Sequence, residues 1–264
     1  MTFPFKKLFF TLTLTLFATA SLQAKSVSAY FSAPYHDAKT VKSKLGHAGL
    51  HVLATYHPAG KSYLNVILYT SGTLKKLAAK PKRGFAAVGR VLVNSRAKTV
   101  LATNPEYWLH AFLQKEYRSG SGAAVTRALG KALGKLSPTK DTLSSSDLAK
   151  YHFMIGMPYY DEMITLKSGK KLSVKNRLFT LTLPNGSKVI GVRMPRSVES
   201  FVSKIGEDKA LVLPYLILIE HGKAMILHPK YYLAISYPRL SMGQFMKISS
   251  TPGQIENAIK RLVK

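Results

Sequence analysis

The sequence repeats itself at an offset of 124 residues. Residues 64–109 and 188–233, laid over each other without gaps, run through one order of patterns: an apolar strand, a short helix, a strand, a turn, a strand, then a Pro-aromatic motif. The motif reads Asn104-Pro105-Glu106-Tyr107-Trp108-Leu109 in one copy and His228-Pro229-Lys230-Tyr231-Tyr232-Leu233 in the other. Seven of the 46 positions are identical, so the shared order of elements, together with the motif, carries the repeat. The expectation is an α+β fold made of two related small sheet-plus-helix domains in tandem.

Local patterns fill in the two copies. In the first, strands are expected at 26–31, 51–56, 64–69, 86–94 and 99–103. Helices are expected at 38–48, ending at Gly49, at 73–79, capped by Ser71 and stopped before Pro81, and at 106–117. In the second, strands 173–183 and 188–194 flank the turn Pro184-Asn185-Gly186, a helix at 196–205 ends at Gly206, and strands 210–220 and 224–227 turn on His221-Gly222. Ser137-Pro138-Thr139-Lys140-Asp141-Thr142 and Ser144-Ser145-Ser146 read as a linker. The division is therefore 1–24, a leader; 25–136, an N-terminal α+β domain; 137–150, the linker; and 151–264, a C-terminal α+β domain.

The leader reading rests on Lys6 and Lys7, an uncharged run from Leu8 to about Leu22, and Leu22-Gln23-Ala24 ahead of Lys25. This is the pattern of a cleaved secretory signal peptide, and it points to a bacterial periplasm. The run is short for a membrane span and holds Thr11, Thr13, Thr15, Thr19 and Ser21. With no Cys in the chain, disulfides, thiolate zinc sites, iron–sulfur ligation, a catalytic cysteine and lipoprotein acylation are all excluded.

Lys plus Arg number 39 against 12 Asp plus Glu, and losing Lys6 and Lys7 with the leader takes the formal charge from +27 to +25. Between Lys25 and Pro105 stand 13 Lys plus Arg and the single acid Asp37. Such a field attracts an anionic membrane surface or an acidic envelope polymer, and the alternative is a compositional background without a partner. Nucleic acid is not expected, given the export signal and the lack of a nucleic-acid-binding module. At 46% apolar and 10% aromatic the chain has the means to bury a core.

Ala48-Gly49-Leu50-His51-Val52-Leu53, and later Leu213-Pro214-Tyr215-Leu216-Ile217-Leu218-Ile219-Glu220 with His221-Gly222-Lys223, resemble the bacterial domain-of-unknown-function family 302. The resemblance touches about 80 residues in each half and is clearer in the second. It implies a small α+β domain with a sheet covered by helices, here in tandem, and brings no catalytic residues with it. Gly89-Arg90 stand where the first half would need Leu-Pro, and the family's Gly-Asn-Pro turn is present only as Met194-Pro195.

Few constellations point to chemistry. His47, His51 and His57 lie within eleven residues, but Gly49 ends the helix between the first two and no carboxylate completes a metal set. Gly120-Ser121-Gly122 lacks the strand–turn–helix setting of a nucleophile elbow, and there is no Walker loop or dinucleotide fingerprint. Asp161 and Glu162 stand side by side, where a helix N-terminus would accommodate them. His152, Met154 and Met157 fall in one short segment, and Met163 would join them if a helix began at Tyr159. Thioethers with imidazole suit Cu(I), whereas methionines also fill irregular gaps in a core. Ala123 to Leu136 is an amphipathic pattern, with Arg127, Lys131 and Lys135 on one face and Val125, Leu129, Leu133 and Leu136 on another. It can lie on an anionic membrane or pack into its own domain. The expected function is that of an exported, non-enzymatic binding or accessory protein of the envelope, holding a small ligand or protein partner. Cu(I) handling and association with anionic membrane or polymer are the alternatives.

Overall fold

The structure, a computed structural model, describes residues 25–264. The expected leader and its cleavage at Ala24 lie outside the described residues. The fold is α+β.

The first half begins with β1 (Ser26–Ser28) and β2 (Tyr30–Ala33). The strand expected over 26–31 is split at Ala29, whose amide donates to Asp141 and whose carbonyl accepts from the Asn104 amide and the Trp108 indole. Then come α1 (Ala38–His47), β3 (His51–Tyr56), β4 (Leu64–Thr70), α2 (Gly72–Ala78), β5 (Gly89–Asn94), β6 (Thr99–Thr103), α3 (Pro105–Leu113) and α4 (Ala123–Leu133). The side chain of Asp37 caps α1 by accepting from the Thr40 amide, and Ser71 caps α2 by accepting from the Leu74 amide. The helix expected over 106–117 stops at Leu113 and continues only as a 3-10 turn, Gln114–Glu116.

The segment 137–150, expected as the linker, is built onto the first half. It forms β7 (Ser137–Pro138), β8 (Thr142–Ser144) and α5 (Ser145–Leu148). β7 pairs with β2, and β8 pairs with β1, so its backbone groups are satisfied on the first half. The six-stranded sheet runs β3-β4-β5-β6-β2-β7, with every neighbouring pair antiparallel.

The second half contains β9 (Ile164–Ser168), β10 (Arg177–Thr182), β11 (Lys188–Val192), α6 (Arg196–Glu199), α7 (Phe201–Ile205), β12 (Tyr215–Glu220), β13 (Lys223–Ile226), α8 (Pro229–Ser236), α9 (Met242–Lys247) and α10 (Thr251–Lys260). Its antiparallel sheet runs β10-β11-β12-β13-β9. Element for element this is the order β3-β4-β5-β6-β2 of the first sheet. The helix expected over 196–205 is two short helices meeting at Ser200. No helix follows β9, so α1 has no counterpart.

The strands expected over 86–94 and 210–220 both begin late, for the same reason. Their apolar starts form 3-10 turns, Gly84–Ala87 and Glu207–Val212. The first packs on β11 and β12 and the second on β4, β5 and β6, so each turn is buried by the sheet of the opposite half. At Gly84 the approach is close enough that a Cβ would lie 2.5 Å from Leu218 Cδ1.

The halves share one core, in which the buried residues of both form a single cluster. Trp108 sits within it, its ring against Tyr30, Tyr107, Phe112 and Tyr232. The bonds between α3 and α8 are reciprocal. Tyr107 donates to the Ile235 carbonyl at 2.6 Å and its counterpart Tyr231 donates to the Ala111 carbonyl at 3.5 Å, with both ends related by the 124-residue offset. α4 packs its apolar face, Val125, Leu129, Ala132 and Leu133, into its own half against α1 and α3, and leaves Arg127 and Lys131 exposed. Among the described residues no helix is long and apolar enough to cross a membrane.

Candidate functional site

A cleft of about 320 Å³ opens where the halves meet, lined by Thr55, Tyr56, His57, Gly60 and Ser62 from the first and Arg193, Met194, Arg196 and Glu199 from the second. The first-half wall is the end of β3 and the turn after it, where Pro58 fixes a 3-10 start and Ala59 and Gly60 take positive φ of 52° and 71°. The opposite wall is the end of β11 running through Pro195 into α6.

Glu199 is the anchor. It is 1% exposed, and both of its oxygens are occupied. Oε1 accepts from the Tyr56 hydroxyl and, at 3.3 Å, from the Met194 amide, while Oε2 accepts from the Ala59 amide at 2.9 Å. Burial pushes its carboxyl above the ordinary carboxylate range, and the three donors pull it back part of the way. Burial, then the neighbouring carboxylate, push the Tyr56 phenol up, so it stays protonated and remains a donor. Glu199 thus ties the 57–61 turn to α6 and has no lone group with which to move a proton.

The groups left facing the cleft are two guanidiniums, two hydroxyls and the His57 imidazole. Arg193 and Arg196 are exposed, and neither forms an ion pair among the described residues. Arg196 lies over Gly60, where a Cβ would come within 2.5 Å of Nε, so glycine is what lets the guanidinium settle on the turn. The Nδ1 of His57 is 3.0 Å from the Leu64 carbonyl. A carbonyl only accepts, so Nδ1 carries the hydrogen and Nε2 is the free nitrogen. Two guanidiniums and the hydroxyls of Thr55 and Ser62 make a surface suited to an oxyanion, and the free Nε2 of His57 is an acceptor for a ligand O–H or N–H. Among the described residues no cleft hydroxyl is hydrogen-bonded to His57, so no activated nucleophile is assembled.

A second cleft, of about 500 Å³, lies on the second sheet, beside the 169–174 loop that stands in place of a helix. Lys170, Arg177 and Lys188 line it, together with Ser173 and Thr180. Glu220 lines it as well, buried, with Oε2 accepting from the Lys82 amide of the first half at 2.9 Å.

The residues singled out for soft-metal binding are placed differently from one another. The His152 ring lies 4.4 Å from that of Tyr159, Met154 is exposed, Met157 donates its amide to the Met154 carbonyl, and Met163 packs against the core. No helix begins at Tyr159, so the turn that was to bring Met163 back to the loop is missing. The helix N-terminus expected at Asp161 and Glu162 is absent for the same reason. Asp161 pairs with Arg83 at 2.9 Å, and Glu162 accepts from the Tyr159 amide. Gap filling in the core does not describe Met154, Met242 and Met246, which are exposed, whereas Met225 is buried. His47 and His51 are exposed on either side of Gly49. Among the described residues no group of three or more His, Asp or Glu could hold a metal ion.

Sequence reasoning named His57 but passed over Tyr56, Arg193, Arg196 and Glu199. The usable signal was scarcity: with 12 acids in the chain, a lone Glu inside Arg196-Ser197-Val198-Glu199 called for a partner. Compared with family models, curated proteins and solved structures, the chain matches none.

Proposed function

We propose that this chain is an exported, non-enzymatic binding protein that holds a small oxyanion, a carboxylate or phosphate group, in the cleft between its halves. The observation that carries this reading is the pair of unpaired guanidiniums, Arg193 and Arg196, facing His57 across the turn that Glu199 holds down. Bidentate guanidinium contacts recognise planar or tetrahedral oxyanions, and a rigid wall lowers the cost of ordering them. Export rests on the Lys6-Lys7 and Leu8–Leu22 pattern. The family resemblance of the second half remains a proposal for its ancestry and adds no catalytic group.

Calorimetric titration with phosphate, sulfate and a dicarboxylate tests the reading, with glycerol as the uncharged control. The native protein is expected to bind at least one of the anions and not glycerol. The Arg193→Ala/Arg196→Ala protein is expected to bind it at least about tenfold more weakly, as the loss of a charge-assisted pair implies. Equal affinity in the two proteins, or no anion bound by either, would overturn it.

A further inference from the structure

We propose that the 153–159 loop and α9 together form a docking patch that seats on an anionic lipid bilayer surface. Six large apolar side chains are more than a third exposed among the described residues, and five of them fall on these two segments. Ile155 is 98% exposed, Met246 61%, Met242 56%, and Met154 and Tyr159 46% each. The rings of Phe153 and Phe245 stack with centroids 6.0 Å apart, which fixes the two segments side by side as one surface.

α9 breaks the usual logic of a short helix. None of its six residues is fully buried, and its packing is confined to half-buried Phe245 and the contact with α7. Its support is a capping box, in which Ser241 accepts from the Gln244 amide and the Gln244 side chain accepts from the Ser241 amide. Met242 and Met246, four residues apart, share a face of the helix. The loop is likewise shaped to project: Met157 bonds back to the Met154 carbonyl, and Gly156 takes φ of 81° at the tip beside Ile155. Flexible thioethers, a bare isoleucine and aromatic rings in one patch mark a surface that something apolar covers.

Charge selects the occupant. Lys247 lies on α9, Arg239 and Lys150 stand on the chain leading into the two segments, and Lys204 belongs to α7, which packs against α9; all four are exposed. None of the four is in an ion pair among the described residues. Of the nearby acids, Asp161 pairs with Arg83, while Glu162, on the Tyr159 amide, and exposed Asp147 keep their charge, so the four cations outnumber the two free carboxylates. An apolar patch fringed by cations, on a body of charge +25 from residue 25 onward, complements a leaflet with apolar depth beneath negative headgroups. An acidic polymer would answer the cations and leave Ile155 and the methionines bare.

Co-sedimentation of the full chain with vesicles tests the proposal, comparing phosphatidylcholine alone with phosphatidylcholine plus phosphatidylglycerol, and soluble polyglutamate as competitor. The native protein is expected to bind the phosphatidylglycerol vesicles preferentially. Ile155→Ser/Met246→Ser, which leaves the charge unaltered, is expected to weaken that binding by at least about tenfold at low salt, as interfacial apolar contact predicts, without changing polyglutamate binding. Met154→Leu/Met242→Leu/Met246→Leu is expected to bind vesicles as the native protein does. Near-ultraviolet circular dichroism checks that each variant folds, and the exposure of these side chains makes folding the expected result. Unchanged vesicle binding in the serine variant would overturn the proposal. So would its loss in the leucine variant, which would point to the sulfur atoms and a soft metal.

Discussion

Replacing Tyr56 with Phe removes the only side-chain donor to Glu199 among the described residues and keeps the ring that packs beneath the cleft. The carboxylate is buried, so water cannot take the hydroxyl's place, and only the Ala59 and Met194 amides remain. A hydrogen bond to a charged group contributes about 1.5–3 kcal/mol, and with two donors retained we expect a loss of about 2 kcal/mol at neutral pH. In a protein of this size each kcal/mol moves the melting temperature by about 2–4 °C, which makes the expected drop about 4–8 °C. The measurement is urea unfolding of native and Tyr56→Phe proteins, with unchanged m-values, backed by thermal melts. In acid, where Glu199 is protonated, the bond becomes a neutral one and the penalty should shrink to about 1 kcal/mol. A loss below about 0.5 kcal/mol at neutral pH, the size of an ordinary surface substitution, would show that Glu199 is not held as described. A penalty of the same size in acid and at neutrality would show that its charge is irrelevant.

Two of the carboxylates that bridge the halves should respond to pH in opposite senses. Glu199, raised by burial, contributes stability that is present below its unfolded value near 4.5 and lost as pH rises through the folded value. Glu207, lowered by its bonds from Lys61 and Tyr63, contributes stability present above its unfolded value and lost as pH falls through the folded one. Urea midpoints across the carboxylate range should therefore show Glu199→Gln removing a downward slope and Glu207→Gln removing an upward one. Gly84→Ala should cost about 1–3 kcal/mol in urea unfolding, as overpacking does, because its methyl meets Leu218 of the opposite sheet. Gly60→Ala, by displacing Arg196 and straining a positive φ, should weaken anion binding in calorimetry with no change of charge.

Where a residue's role is decided by its sequence neighbours, the sequence is legible. Ser71 caps α2, Gly49 takes φ of 78° after α1, and Gly186 takes φ of 81° in the turn read from Pro184-Asn185-Gly186. Where the role depends on the other half it is hidden. Ala86 to Val88 and Ala210 to Leu213 look like strand beginnings because a short buried run is apolar in either conformation, and only the facing sheet reveals why. Tyr56 and Glu199 are 143 residues apart, so nothing local joins them. Methionines are ambiguous in another way: composition cannot distinguish buried Met225 from exposed Met246 when both have apolar neighbours in the chain.

The reciprocal bonds of Tyr107 and Tyr231 are of the kind found where a surface meets its own copy across a twofold axis. Two separate chains meeting this way fall apart on dilution, and each must keep a surface that suits its twin. Here the chain itself, passing through β7, β8 and α5, supplies the tether, so the pairing is intramolecular and indifferent to how dilute the protein becomes. Joined in this way, the copies are released from sameness. One has kept α1 and the other carries α9, and a ligand in the cleft meets a different wall on each side. Residues 151–264 produced alone would bare the α8 face that Tyr231 occupies.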